Sequence, residues 1–436
     1  MSKNNSDAIE RYALEAVPQS DRQPWFTIAL IWIGTMICVP GLMIGGALIT
    51  GLTVMQAFWA GVIGYSIVVL YMCFQGMQAA DLGRPTVSLA SSSFGETGSR
   101  VVISFILGIA TLGWFGVQAN LCGVAFCNIL DSWLGINLPV WISSLIWGVI
   151  MLTTAIYGFN ALKYLNYIAV PSLIILSLYG TFVSLSTYGA DKLFSYQPPQ
   201  PFSFIQGVAL AVGTFAVGGV IAGDYSRYAT GRKDAILSSV FGVLPAGVGM
   251  LVMGGVMAVV AGTYDITVIL ANLGVPLIGL IVLILATWTT NTVNAYSGGL
   301  AITNMFNLGD SNRALATGIA GAIGTILAIA GIIDYFINYL LLLTSAIPAV
   351  AGVMIADYWI VKKGDASKWN KVPGVNWVGI ISWLLGVVAG NVIKVGVGPL
   401  SGIVVSLVAY IILHSFVAKE EQTQINLKKC VNSTND

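Results

Sequence analysis

Stretches of about twenty or more apolar residues, separated by short polar links, succeed one another along nearly the whole chain. Each is long enough to cross the hydrocarbon of a bilayer as a helix, which takes roughly twenty residues. Twelve such spans are expected, at roughly 25–50, 53–75, 98–129, 138–158, 162–187, 203–227, 236–262, 270–297, 314–333, 335–361, 375–395 and 399–417. The pattern predicts an all-α polytopic membrane protein. Its expected parts are a polar N-terminal segment (1–24), a ten-helix core (25–361), two additional transmembrane helices (362–417) and a C-terminal tail (418–436).

Two spans are interrupted. The first carries CVPGLMIGG, where Pro40 removes a backbone donor and Gly41, Gly45 and Gly46 loosen the next turns. The sixth carries VGTFAVGG, with Gly213, Gly218 and Gly219. Glycines in membrane helices commonly serve close packing. Breaks at corresponding positions five spans apart are instead the pattern of an inverted five-plus-five repeat, whose broken helices form a binding site at mid-membrane. Half-helix ends expose N–H and C=O groups there that can hold a dipolar substrate and a cation.

The eighth span contains LATWTTNTVNAYS, a polar sequence where hydrocarbon offers no water. Each polar group left unpaired there costs roughly 4–8 kcal/mol. Ala286, Thr289 and Thr290 are spaced i, i+3 and i+4, so one helix face carries a carbonyl and two hydroxyls, oxygen ligands for a hard cation such as Na⁺. In the third span Thr111, Trp114 and Gln118 form one stripe, in which an indole face could stack on a flat ring while the amide reads its edge. Phe215, between the sixth-span glycines, could supply a second aromatic face, and Asn291 with Asn294 could present amides to a nucleobase-like edge. Against these stand plainer roles: Trp as interfacial anchor, Phe as core, and Gln or Asn as ties between helices.

Composition narrows the field. Only 8% of residues are charged and 57% are hydrophobic, which excludes a soluble globular domain. A single His and five Cys without paired spacing leave little for metal or general-base chemistry, and no cofactor is expected. There is no basic patch for nucleic acid. With the N-terminus inside, every Lys and Arg except Lys192 and Lys394 falls on the cytoplasmic face, which predicts both termini inside the cell membrane. Asp81 with Arg84, Asp224 with Arg227, and Asp357 with Lys362 and Lys363 sit at cytoplasmic span ends, where local pairing accounts for them, and Glu96 is placed to cap the third span.

VPQS at 17–20, GWFG at 113–116, GTF at 213–215, Asp224-Tyr225-x-Arg227, WTTN at 288–291 and AIPAVAGVMIADY at 346–358 together resemble the nucleobase–cation symporters, with the bacterial cytosine permeases the most similar branch. The resemblance implies a LeuT-like fold and a Na⁺ site from the carbonyls of Gly34, Ile37 and Ala286 with the hydroxyls of Thr289 and Thr290. It also implies a substrate site of Trp114, Phe215 and Asn291. The chain departs from the cytosine-permease pattern at Thr111, where that branch has Gln, while Gln118 matches the hydantoin-type members. The expected function is import of a nucleobase or related heterocycle, cytosine first, by cation symport. The alternatives are proton coupling, or a hydroxymethylpyrimidine, purine, allantoin or hydantoin substrate. A membrane enzyme would show Asp-rich, His or Ser/His constellations near one face, and a channel would show a repeated pore motif; neither pattern is visible in the sequence.

Overall fold

The computed structural model describes residues 12–263, 268, 276–393 and 396–433, and these are helical apart from links and one isolated bridge between Gln23 and Ala229. Lys3, Arg11, Lys394 and the start of the expected eighth span lie outside the described residues. Among the described residues, eight helices are long and apolar enough to cross a membrane, or nine with the bent pair Trp25–Met36 and Val39–Gly51 counted as one. Val140–Ile156, Pro276–Met305 and Trp377–Val392 occupy the positions of the other three expected spans.

The first span breaks as its sequence dictates. A proline ring clashes with the carbonyl four residues earlier, so Pro40 stops the preceding helix at Met36 while itself fitting the first turn of Val39–Gly51. Cys38 between them is extended, and the two halves meet at 57°. The sixth span, Phe204–Val220, is kinked at Phe215, whose backbone leaves the helical region at φ −130° and ψ 17°. A carbonyl freed near this kink finds a new donor, because the Tyr71 hydroxyl donates to Ala216 O at 2.9 Å. A Cβ on Gly218 would lie 2.2 Å from Phe215 Cζ, so only glycine lets the Phe215 ring lie there.

The third span, entered through a π-helical turn at Ser99–Ile103 and continuing as Ser104–Leu134, packs along the eighth, Pro276–Met305. The seventh, Arg232–Ala261, lies against both halves of the first span and against the second, Val54–Leu82. The broken spans are thus clasped from both sides. The last helix runs Gly398–Ser433, past residue 417 where the sequence pattern ends the final span.

Pairing among the charged residues at the span ends corrects one local expectation, that Asp81 pairs with Arg84. Asp81 is held by Arg232, through Nε and Nη2 at 2.8 Å each, and by the Tyr358 hydroxyl at 2.6 Å. Arg84 instead donates to Leu14 O at 3.0 Å and lies over the Trp369 ring. Asp224 accepts from Thr86 N at 2.9 Å. Asp357 pairs with Lys362 at 2.7 Å, as expected, and also accepts from Tyr410. Glu96 opens the first turn of its helix, but Gly95 holds the cap position.

Residues 12–24 are strapped across these span ends. Val17 N donates to Gly83 O at 2.9 Å, Leu14 N to Asp310 Oδ1 at 3.1 Å, and Arg227 to Ala13 O at 2.8 Å. The strap therefore bonds to the second, sixth and eighth spans or the links that leave them.

Candidate functional site

Between the two breaks lies a small cavity of about 50 Å³. Trp114 and Phe215 both line it, each about 8% exposed. Each ring is backed edge-on by another aromatic: Trp114 by Tyr339, with centroids 5.9 Å apart at 74°, and Phe215 by Trp32, 5.8 Å apart at 86°. Such edge-to-face contacts fix the planes of the rings that line the cavity. The Tyr339 hydroxyl is itself anchored on Ala110 O.

Gln118 lines the same cavity, and its Oε1 is buried without a hydrogen-bond partner. A buried amide oxygen in that state can accept a hydrogen bond from a ligand. Among the described residues lining the cavity none is charged, so recognition here rests on stacking and neutral hydrogen bonds.

Two sequence expectations are corrected by this geometry. Thr111 does not line the cavity: it is fully buried, and its hydroxyl donates to Leu107 O at 2.9 Å and Gly108 O at 3.1 Å within its own helix. Asn291 also faces away. Its Nδ2 donates to Phe115 O at 3.1 Å and to Met151 Sδ at 3.3 Å, so it ties the eighth span to the third and fourth. Asn294, one turn on, reaches the cavity and donates to Asn291 Oδ1 at 3.3 Å. The polar stripe of the eighth span is rotated so that the amide partners split, one structural and one lining. Trp32, Cys38 and Tyr65 complete the wall; none stands out in sequence, since aromatic and thiol residues are ordinary in apolar spans.

Beside the cavity, the first and eighth spans meet through oxygen. The break leaves carbonyls at the end of Trp25–Met36 without helical partners, and the eighth-span threonines take them up. Thr289 Oγ1 donates to Gly34 O at 2.7 Å, with Leu285 O and Ala286 O at 3.0 and 3.1 Å; Thr290 Oγ1 approaches Thr35 O at 3.1 Å and Ala286 O at 3.0 Å. Two hydroxyl protons therefore face four carbonyl oxygens. Of the four, the carbonyls of Gly34 and Thr35 come from the broken end of the first span, and those of Leu285 and Ala286 from one turn back in the eighth. Ile37 stands at the break itself, packed in one apolar cluster with Ala286. Thr35 and Thr290 also line the cavity, so the two features share a wall.

A family model described as a permease for cytosine/purines, uracil, thiamine and allantoin matches residues 16–413. The chain belongs to this family. Within it, the chain is 31% identical to the cytosine permease of Escherichia coli K12 over 96% of its own length and 97% of the relative's. It is 26% identical to the hydantoin permease of Microbacterium maritypicum, over 95% and 89%. Among solved structures it is similar to Mhp1, a nucleobase-cation-symport-1 family transporter, in a closed conformation with bromovinylhydantoin bound. That match has a TM-score of 0.82 and 21% identity, covering 94% of this chain and 96% of Mhp1. A Na⁺-coupled sialic acid symporter matches with a TM-score of 0.63 and 12% identity, over 90% and 89%. The chain is thus a multi-pass membrane permease of this family with a LeuT-like fold, and its chemistry is transport, not catalysis.

Proposed function

We propose that this permease imports a planar nitrogen heterocycle, cytosine first among the candidates, in symport with Na⁺. The observation that carries the reading is the uncharged cavity between Trp114 and Phe215 with the unpartnered Gln118 Oε1 on its wall. A flat ring would stack on these aromatic walls, and a ring N–H or amino group would answer the waiting oxygen. Asn294 reads a second position on the edge. The identity to a cytosine permease over nearly the whole chain supports cytosine. Gln118, lining the cavity where Thr111 does not, favours a hydantoin as the second reading.

Coupling arises from the shared wall. Na⁺ bound by the carbonyls of Gly34, Ile37 and Ala286 and the hydroxyls of Thr289 and Thr290 would draw the first and eighth spans together. That movement would bring Thr35 and Thr290 into place around the substrate, so each ligand raises the affinity for the other. The absence of a charged group among the lining residues favours a cation over a proton as the coupling ion. The strapped span ends are assigned to the cytoplasm and the protein to the cell membrane with both termini inside. The deciding experiment is uptake of a radiolabelled panel of cytosine, hydantoins, purines, allantoin and hydroxymethylpyrimidine by whole cells, with Na⁺ or with choline. Cytosine or hydantoin uptake that requires Na⁺ is expected. Uptake that ignores Na⁺ and tracks the proton gradient would replace the coupling ion, and no uptake of any panel member would end the heterocycle reading.

A further inference from the structure

The fifth span, Phe159–Tyr188, brings an unexplained polar group to the oxygen cluster. Asn166 is fully buried, in a helix that packs on both the first and the eighth spans. Its Nδ2 donates to Leu162 O at 2.8 Å, one turn back in its own helix. That bond fixes which way the amide faces, because reversing it would set oxygen against the Leu162 carbonyl. The other end, Oδ1, is buried without a hydrogen-bond partner. It rests on Gly34: a Cβ built there would lie 1.8 Å from it. The glycine whose carbonyl accepts from Thr289 is therefore the residue against which a third helix presses an unsatisfied oxygen.

A buried acceptor left unpaired costs about 1–3 kcal/mol. A Leu or Val would fill this position in an apolar cluster that already contains Ala169, Leu173 and Ile37. An amide oxygen is, however, a good ligand for a hard cation. Resting on the reading of the threonine cluster as a cation site, we propose that Asn166 supplies that site with a further oxygen ligand from the fifth span. The ion would then be held by three helices. Its release would depend on the fifth span as well as on the first and eighth.

The test is the Na⁺ dependence of substrate uptake, and of thermal stability of the purified protein in NaCl against choline chloride, for Asn166→Leu, Asn166→Ala and Thr289→Val. Removing the Asn166 oxygen is expected to raise the half-saturating Na⁺ concentration about 10- to 100-fold, the range seen when supporting groups of metal sites are removed. Substrate KM at saturating Na⁺ should stay near wild type, and the stabilisation by NaCl should shift to higher concentration in parallel. Asn166→Ala carries the same reading if Asn166→Leu does not fold. Wild-type Na⁺ dependence in either Asn166 variant, or a fall in maximal rate alone, while Thr289→Val shifts the Na⁺ dependence, would overturn the role of Asn166 and leave the cation site standing. Na⁺ independence of the wild type and of Thr289→Val would remove the cation site and this ligand with it.

Discussion

Gln118→Leu separates recognition from packing at the cavity wall. Leucine is close to glutamine in size but has no polar atoms, so the wall keeps its shape and loses the amide, including the oxygen that lacks a protein partner. For a substrate that donates to Oε1, the neutral hydrogen bond is worth about 0.5–1.5 kcal/mol net, or about 2- to 12-fold in affinity. The larger effect comes from the donor left behind. A ring N–H facing leucine in a buried site has no water to turn to, at about 1–3 kcal/mol, so strongly donating heterocycles should lose about 5- to 150-fold. Rings with an acceptor or C–H at that edge should bind as before or better. The assay is competition: inhibition constants for a panel of pyrimidines, purines and hydantoins against uptake of one labelled substrate, in wild type and variant. A changed ranking, with donors penalised and total protein unaltered, is expected. The same ranking with the same constants would mean that no ligand touches Gln118, and the edge-reading argument would be wrong.

Trp114→Ala removes a stacking face worth about 1–3 kcal/mol, so KM should rise about 5- to 150-fold for every accepted ring; full affinity would point to a non-planar solute. Asn291→Ala should lower thermal stability by about 1–3 kcal/mol by orphaning its partners, without reordering substrates, whereas Asn294→Ala should reorder them; the opposite pattern would return Asn291 to the site. Gly218→Val must displace the Phe215 ring and should weaken binding of all substrates by about 1–3 kcal/mol, read as KM; an unchanged KM would show that the ring is not a wall of the site. In a variant with all five cysteines replaced, Lys192→Cys should react with an impermeant thiol reagent on intact cells and Lys368→Cys should not; reversed labelling would invert the assigned orientation.

The helical architecture was legible in the chain because a bilayer leaves little choice. A run of about twenty apolar residues has its backbone satisfied only as a helix, so counting runs counts spans. The two breaks were legible for the same reason: Pro40 cannot continue a helix, and the glycines around Phe215 mark where a ring must lie close to backbone. The threonine spacing was equally local, since i, i+3 and i+4 share a helix face whatever surrounds them.

The rotation of that face relative to its neighbours was not legible, because it depends on how several helices pack at once. Packing turned Asn291 towards Phe115 and Asn294 towards the cavity, and it buried the Thr111 hydroxyl in its own helix while leaving Gln118 facing the ligand space. The charged pairs behaved likewise. Asp81 sits three residues from Arg84 yet pairs with Arg232, because the seventh span delivers that guanidinium with two-point geometry. Asn166 is the plainest case. Nothing in the sequence sets it apart from Asn160 in the same span, and only the fold places its oxygen on Gly34. Sequence determined which groups must be satisfied somewhere, and tertiary structure decided which of them satisfy one another and which are left for a ligand.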